Sequence, residues 1–351
     1  MTVSLPAPGF EPARAPHVAA PDQNRTLAAQ LMQYHTPSLA RGVFELSITA
    51  LPFALTWYGM YWALSHGHVW LYLLLLPFAV GFLVRLFLIQ HDCGHLAFLP
   101  GRRANDWLGR CLGVVTITPY AHWRRAHALH HATSGDLGRR GFGDIDTLTV
   151  AEYRARKGWT RWRYRLYRNP MLMFGIGPAF VFLLQNRLPA GFFRVGRHWA
   201  STLGTDVAIA ACVALLSYAV GWRTFFAVHT PIMLLSASVG GWLFYVQHQF
   251  EHTYWRRPGQ WNMRDAALHG SSHYDLPPLL RWFTANIGVH HAHHLCSRIP
   301  FYRLPLVLRR HAELRELGRL TLWQSLRCVR LALWDEGSGR LVSFREAARL
   351  A

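Results

Sequence analysis

The stretch "HVWLYLLLLPFAVGFLVRLFLIQHDCGH", residues 68–95, joins a long apolar run directly to two histidines. The run holds one charged side chain, Arg85. A helix of about 20 apolar residues crosses the hydrocarbon core of a bilayer. His91 and His95 then follow at positions i and i+4, which places both rings on one face of a helix. We therefore predict a membrane-spanning helix that ends in a pair of potential metal ligands.

The rest of the chain repeats this combination of apolar runs and basic connections. Its 351 residues carry a formal net charge of +19, yet 51% of them are hydrophobic. The arginines flank apolar runs instead of alternating with stacking aromatic residues, so we expect a membrane surface and no nucleic acid as the partner. We predict spans at about 43–64, 68–90, 205–226 and 228–248, and a shorter interfacial segment, interrupted by glycine and proline, at 171–185.

The connections between the spans predict how the chain is arranged across the membrane. The first pair is joined by "SHG" and the second pair by a turn near Ala227, so each pair forms a tight hairpin. The long connection 102–168 and the residues after Arg281 are rich in arginine, which indicates the cytosolic side. Both termini and all the histidine clusters are then cytosolic, provided that 171–185 does not cross. We expect a multi-pass membrane protein.

These observations divide the chain into three parts. Residues 1–40 are expected to be a disordered cytosolic segment, because they are rich in proline and alanine and lack the apolar region of a secretory signal. Residues 41–310 form the membrane domain, and 311–351 form a cytosolic helical tail. The fold class is therefore an all-α integral membrane protein, with four transmembrane helices in two hairpins, interfacial helices and a cytosolic cap rich in histidine.

Two further histidine clusters share the helical spacing of the first. "HALHH" (127–131) and "HHAHH" (290–294) place rings at i, i+3 and i+4, whereas His291 points about 100° away from its neighbours. "YVQHQFEHTYW" (245–255) adds one more ring at the end of the last span. The nine candidate ligands are His91, His95, His127, His130, His131, His248, His290, His293 and His294.

Nine imidazoles are too many for one metal ion, so we expect two ions, each bound by four or five nitrogens. Imidazole suits iron, copper, nickel and zinc, so the ligand type leaves the metal open. Zinc fits less well, because the chain lacks an H-E-x-x-H motif. Residues that could orient the ligands or lie close to the metal are Asp92, Asp144, Asp146, Glu251, His252 and His273.

The boxes "HDCGH", "HALHH" and "HHAHH", in this order around two hairpins, resemble those of the integral-membrane fatty acid desaturases. The flanking stretches 132–153, 245–255 and 270–305 are similar to the bacterial acyl-lipid, omega-6 (Δ12) type. The resemblance implies two non-haem irons held by the three boxes, with His248 as the ninth ligand. It further implies that dioxygen and two electrons insert a cis double bond into a lipid acyl chain. His252 and His273 depart from the pattern expected of the family.

The resemblance leaves several points open. The chain shows no HPGG motif of a cytochrome b5 module, so we expect a separate electron donor such as a ferredoxin. The same boxes could serve a fatty acid hydroxylase or a carotenoid oxygenase. A histidine-rich metal transporter is an alternative of another class, although a transporter should carry ionisable residues at mid-membrane, whereas these boxes lie at the ends of the spans.

Overall fold

The computed structural model describes residues 27–141, 143–188 and 196–350. Within these ranges the chain is mainly helical, with two small sheets. The helices are α1 (Leu39–Ser65), α2 (Val69–Gly94), α3 (Arg102–Val115), α4 (Tyr120–Thr133), α5 (Val150–Ala155), α6 (Gly158–Tyr167), α7 (Gly177–Leu183), α8 (Gly196–Val220), α9 (Trp222–His248), α10 (Met263–His269), α11 (Pro278–Phe283), α12 (His290–Leu295), α13 (Leu304–Arg310), α14 (Glu313–Glu316), α15 (Leu322–Cys328) and α16 (Phe344–Ala347). The strands are β1 (Leu148–Thr149), β2 (His273–Asp275), β3 (Arg319–Thr321), β4 (Leu331–Asp335) and β5 (Arg340–Ser343).

Four of the helices in the described ranges are long and apolar enough to cross a membrane, which confirms the predicted fold class. They are α1, α2, α8 from Trp199 onward, and α9. The first hairpin turns at Gly67 as expected. The second turns at Gly221, where φ is +83°, and not near Ala227. Only glycine adopts this backbone conformation without steric cost, and the apolar residues on both sides hide the turn in a hydropathy profile.

The segment 171–185 is not among these four helices. A π-helical turn (Leu172–Ile176) leads into the short helix α7. Met171, Ile176 and Phe180 on this segment are exposed, whereas Pro178 is buried against α9. This short element has exposed apolar residues and packs on one side against a span, and its interfacial location stays a prediction.

The N-terminal lead-in is ordered from residue 27. Residues 27–31 are helical and continue into a 3₁₀ turn, and Leu31 and Tyr34 are buried. The backbone N–H of Ser38 donates to the Tyr302 hydroxyl at 2.9 Å, and the Tyr34 hydroxyl lies 3.4 Å from His311 Nε2. These contacts contradict the expectation of disorder for residues 27–40, whereas residues 1–26 lie outside the described ranges.

The C-terminal segment is not purely helical, which corrects the predicted helical tail. Strand β4 pairs in parallel with β1 and antiparallel with β5, and β3 pairs in parallel with β2. Each strand has at most five residues, too few for a clear alternating pattern in the sequence. The pairings fasten the tail to the segments that follow the second histidine box and precede the third.

Candidate metal centre

The nine histidines predicted as ligands come together in two groups. Within each group, the potential ligand atoms all lie within 4.8 Å of one another. No other group of at least three histidine, cysteine or acidic side chains at metal-binding distance occurs in the described part of the chain. The first group is His91, His95, His127, His131 and His293, and the second is His130, His248, His290 and His294.

The second and third boxes each contribute to both groups. Helix α4 gives His127 and His131 to the first group and His130 to the second. Helix α12 does the reverse, giving the i,i+4 pair His290 and His294 to the second group and His293 to the first. The three rings of a box therefore span the space between two groups instead of converging on one ion. The spacing alone predicts only that the three rings of each box share one helix face, not that they bind different ions.

In the first group, four of the five Nε2 atoms form a chain of short contacts from one ring to the next. The distances are 3.0 Å from His91 to His127, 3.1 Å from His127 to His131 and 3.2 Å from His131 to His293. The Nε2 atom of His95 is buried and has no hydrogen-bond partner in the protein. Its ring is enclosed by the other rings of the group at centroid distances of 4.7 to 4.9 Å.

In the second group, the hydrogen bonds at Nδ1 reveal which nitrogens carry protons. His248 Nδ1 lies 3.1 Å from the Gly270 carbonyl oxygen, which can only accept, so this nitrogen donates. His130 Nδ1 donates to the Asp144 carboxylate. In the neutral rings both Nε2 atoms then carry lone pairs, yet they lie 3.1 Å apart. Two acceptors at this distance repel each other unless a cation lies between them.

Burial keeps six of the nine rings neutral. It lowers the pKa of His95, His127 and His131 well below the ordinary value, and neighbouring histidines lower it further. The pKa values of His290, His293 and His294 are lowered for the same two reasons. Neutral imidazole is the form that binds metal, so these six rings can bind transition-metal ions without prior loss of protons.

Two of the proposed supporting carboxylates contact ligand rings. Asp92 Oδ1 lies 3.3 Å from His91 Nδ1, and its Oδ2 accepts from the Phe301 backbone N–H at 2.7 Å. Asp144 accepts from His130. Each group thus has one carboxylate that fixes the orientation of one ring, as is common for histidine ligands of metals.

The other proposed supporting residues lie outside both groups. Asp146 and His252 are exposed. Glu251 is also exposed and pairs with Arg340 at 2.9 Å. His273 Nδ1 donates to the Arg315 carbonyl at 2.6 Å, which ties β2 to the tail.

His291 also lies outside both groups, as its helical position predicts. It is completely buried, and its Nε2 donates to the Leu314 carbonyl at 2.9 Å. Burial, with a smaller contribution from His273, lowers its pKa to about 3. Its contacts connect the third box to the tail.

Two aromatic residues beside the ligands were missed in the sequence. Trp123 stacks on the ring of His127, with centroids 4.8 Å apart. Phe244 lies 5.0 Å from the ring of His130 and 5.3 Å from that of His248. Each lies four residues before a ligand on its own helix, so the i,i+4 relation could have identified both. They cover the imidazoles with apolar surface.

Comparisons with known proteins find one matching family model and several relatives, all described as desaturases. Residues 69–325, which contain all nine clustered histidines, match the family model described as fatty acid desaturase. A Bacillus subtilis protein named fatty acid desaturase is 42% identical over 323 residues, 92% of this chain and 91% of the relative. An sn-1 oleoyl-lipid 12-desaturase of Synechocystis is 27% identical over 66% of this chain and 64% of its own length. An sn-1 acyl-lipid omega-3 desaturase (ferredoxin) of Synechocystis is 26% identical over 62% and 61%.

Proposed function

The chain belongs to the fatty acid desaturase family, and we propose that its nine clustered histidines bind two non-haem iron ions. The first group would provide five nitrogens and the second four. The observation that carries this proposal is the pair of facing Nε2 lone pairs of His130 and His248, 3.1 Å apart. The absence of carboxylates from both groups suits a metal with a preference for imidazole.

The proposed reaction is the insertion of a cis double bond into the acyl chain of a membrane lipid. Two hydrogens leave the acyl chain and, with two protons and two electrons from a donor, reduce dioxygen to two molecules of water. The irons supply the oxidising power that no side chain has. The surrounding residues bury the site, exclude water and, through Asp92 and Asp144, hold two of the imidazole rings in place.

The substrate follows from the position of the site and from the relatives. His91 and His248 lie at the ends of α2 and α9, so an acyl chain could reach the site without leaving the bilayer. The two Synechocystis relatives are named for acyl-lipid substrates, which supports a lipid-linked acyl chain here. The name of one relative includes ferredoxin, which supports a separate ferredoxin-like donor.

We also propose that the site and both termini face the cytosol of a bacterial cell. The stretch 102–168 and the residues after Arg281 are rich in arginine, and such connections remain on the cytosolic side. The ends of α2 and α9 that carry histidines lead directly into these connections. The membrane would be the inner membrane.

The experiment is expression of the chain in a bacterial host whose fatty acids are analysed by gas chromatography, with location of new double bonds. We expect new cis-unsaturated acyl chains, and none with the His130→Ala variant at equal expression. New hydroxy acids or altered carotenoids with unchanged unsaturation would contradict the desaturase reaction. Metal analysis of the purified protein tests the ions separately, and the expected content is about two irons per chain.

A further inference from the structure

A basic cleft lies outside the four membrane-spanning helices, and none of its lining residues belongs to the histidine groups. It has a volume of about 420 Å³ and lies between α5, α6 and α16. This volume is large enough for a small organic ligand. The lining combines guanidinium groups with aromatic rings, contributed by Arg154, Arg161, Arg165, Tyr153, Trp162 and Phe344.

The arginines of the cleft are held in place by neutral groups. Arg161 donates to the Arg154 and Arg156 carbonyls at 2.6 and 2.7 Å. Arg165 donates to the Tyr153 hydroxyl at 2.6 Å, and its guanidinium lies 5.2 Å from the centre of the Phe344 ring. Within the described ranges, no carboxylate forms an ion pair with Arg154, Arg161 or Arg165. The three charges are therefore positioned but not neutralised.

The carboxylates on the three surrounding helices have other partners. Glu152 on α5 pairs with Arg140 at 2.6 Å. Glu346 on α16 caps its own helix by accepting from the Ser343 backbone N–H at 2.8 Å, and it lies 3.5 Å from Arg340. Helix α6 contains no acidic residue. The carboxylates of these helices therefore leave the three arginines available to an external anion.

The position of α6 indicates where this anion comes from. Helix α6 runs into the apolar segment that contains α7, and α7 packs on α9 near the histidine end of that span. The contact is close: a Cβ on Gly241 would lie 2.6 Å from Pro178 Cγ. Residues 168–171 therefore connect the helix that lines the cleft to a segment packed on a span near its histidine end.

Helix α6 also has the side chains of a membrane-surface helix. Trp159 and Trp162 are 65% and 51% exposed, and their rings stack with centroids 4.9 Å apart. Leu166 on the same helix is exposed as well. Tryptophan is enriched at the headgroup level of membranes, and nearby basic residues attract anionic lipids.

We propose that the cleft binds the phosphate of an anionic phospholipid headgroup, through Arg161 and Arg165, with Trp162 beside the glycerol region. This lipid is distinct from the acyl substrate. It would hold α5, α6 and α16 against the membrane next to α7, independently of iron and of desaturation.

The test is thermal unfolding of the full chain in a neutral detergent, titrated with dioctanoyl phosphatidylglycerol. We expect a saturable rise in the unfolding midpoint. Dioctanoyl phosphatidylcholine and inorganic phosphate at equal concentration should raise the unfolding midpoint only slightly. In Arg161→Gln/Arg165→Gln, the half-saturating lipid concentration should rise about thirtyfold, since each basic contact is worth about 1 kcal/mol, a factor of about five.

The matched control is Arg309→Gln/Arg310→Gln, which removes two exposed charges outside the cleft and should leave the half-saturating concentration unchanged. Equal responses in the wild type and the cleft variant would overturn the proposal. A full response to inorganic phosphate would reduce the cleft to a simple anion site and overturn the lipid assignment. If the double variant does not accumulate, Arg165→Gln gives the same test with an expected shift of about fivefold. Among the described residues, the Arg165 side chain donates to the Tyr153 hydroxyl and to no main-chain carbonyl, so this variant disturbs the backbone least.

Discussion

His130 and His248 face each other through Nε2 atoms 3.1 Å apart, while the Nδ1 atom of each ring donates to oxygen. Both nitrogens between the rings are therefore acceptors, and burial prevents water from solvating them freely. A bound cation turns this repulsion into coordination. The arrangement joins the second box to the last span, so it depends on the packing of α4 against the end of α9.

His248→Ala should remove one metal ion and leave the other. The second group would keep three nitrogens and lose the one that lies between His130 and His290. We expect the iron content to fall from about two to about one per chain, with loss of desaturation. The measurement is elemental analysis of purified protein together with fatty acid profiles.

The control for this variant is His252→Ala. His252 lies four residues further along and is exposed, so both irons and the activity should be retained. Loss of iron in His252→Ala would show that this ring reaches the centre after all.

Asp144→Asn should weaken the second metal site without removing a ligand. The amide cannot accept the His130 proton as strongly as the carboxylate, so the ring is less firmly oriented. Changes in such supporting groups cost about 10- to 100-fold in metal affinity or activity. The matched control is Asp146→Asn, because Asp146 is exposed and contacts neither group. Competition with an iron chelator measures the affinity, and equal values for the two variants would contradict a role for Asp144.

The sequence predicted the elements that depend on local pattern. Long apolar runs predicted the spans, and the spacing of histidines predicted which rings could bind metal and that His291 would lie apart. It did not predict that the second and third boxes are divided between the groups, with His293 in the first group and His290 in the second. That division depends on where helix axes lie relative to one another, which spacing within one helix does not specify.

The C-terminal strands illustrate a second kind of limit. Leu148 pairs with Leu333, and His273 pairs with Arg319, across long separations in the chain. Two- to five-residue strands bury too little surface to leave a pattern in the sequence, so their existence depends on the partner strand. The turn at Gly221 was missed for a related reason, since apolar residues continue through it.

Replacing one partner of a buried ion pair between two spans should lower the stability of the protein. Arg85 Nη2 lies 2.5 Å from Glu45 Oε2, and both side chains are almost completely buried. Arg85→Met should destabilise the protein by at most about 3–5 kcal/mol, because the buried Glu45 carboxylate keeps only the half-exposed Arg41, 2.6 Å away, as an ionic partner. Arg85→Met/Glu45→Met should be more stable than Arg85→Met alone. Thermal unfolding in detergent measures both.

The exposed pair Arg257–Glu336, at 2.7 Å, provides the contrast. Arg257→Met should change the unfolding midpoint little, since exposed pairs contribute little to stability. If the double variant of the buried pair were less stable than Arg85→Met alone, Glu45 would have a stabilising role apart from Arg85.

His291→Ala should separate stability from metal binding within one box. His291 is buried and donates to the Leu314 carbonyl, which the variant would leave without that partner. An unpaired buried polar group costs about 1–3 kcal/mol, so the unfolding midpoint should fall. Both irons should remain, since His291 belongs to neither histidine group. His290→Ala, one residue earlier, should instead lose about one iron. A His291→Ala protein with normal expression and one iron fewer would place His291 among the ligands and refute the division of the third box.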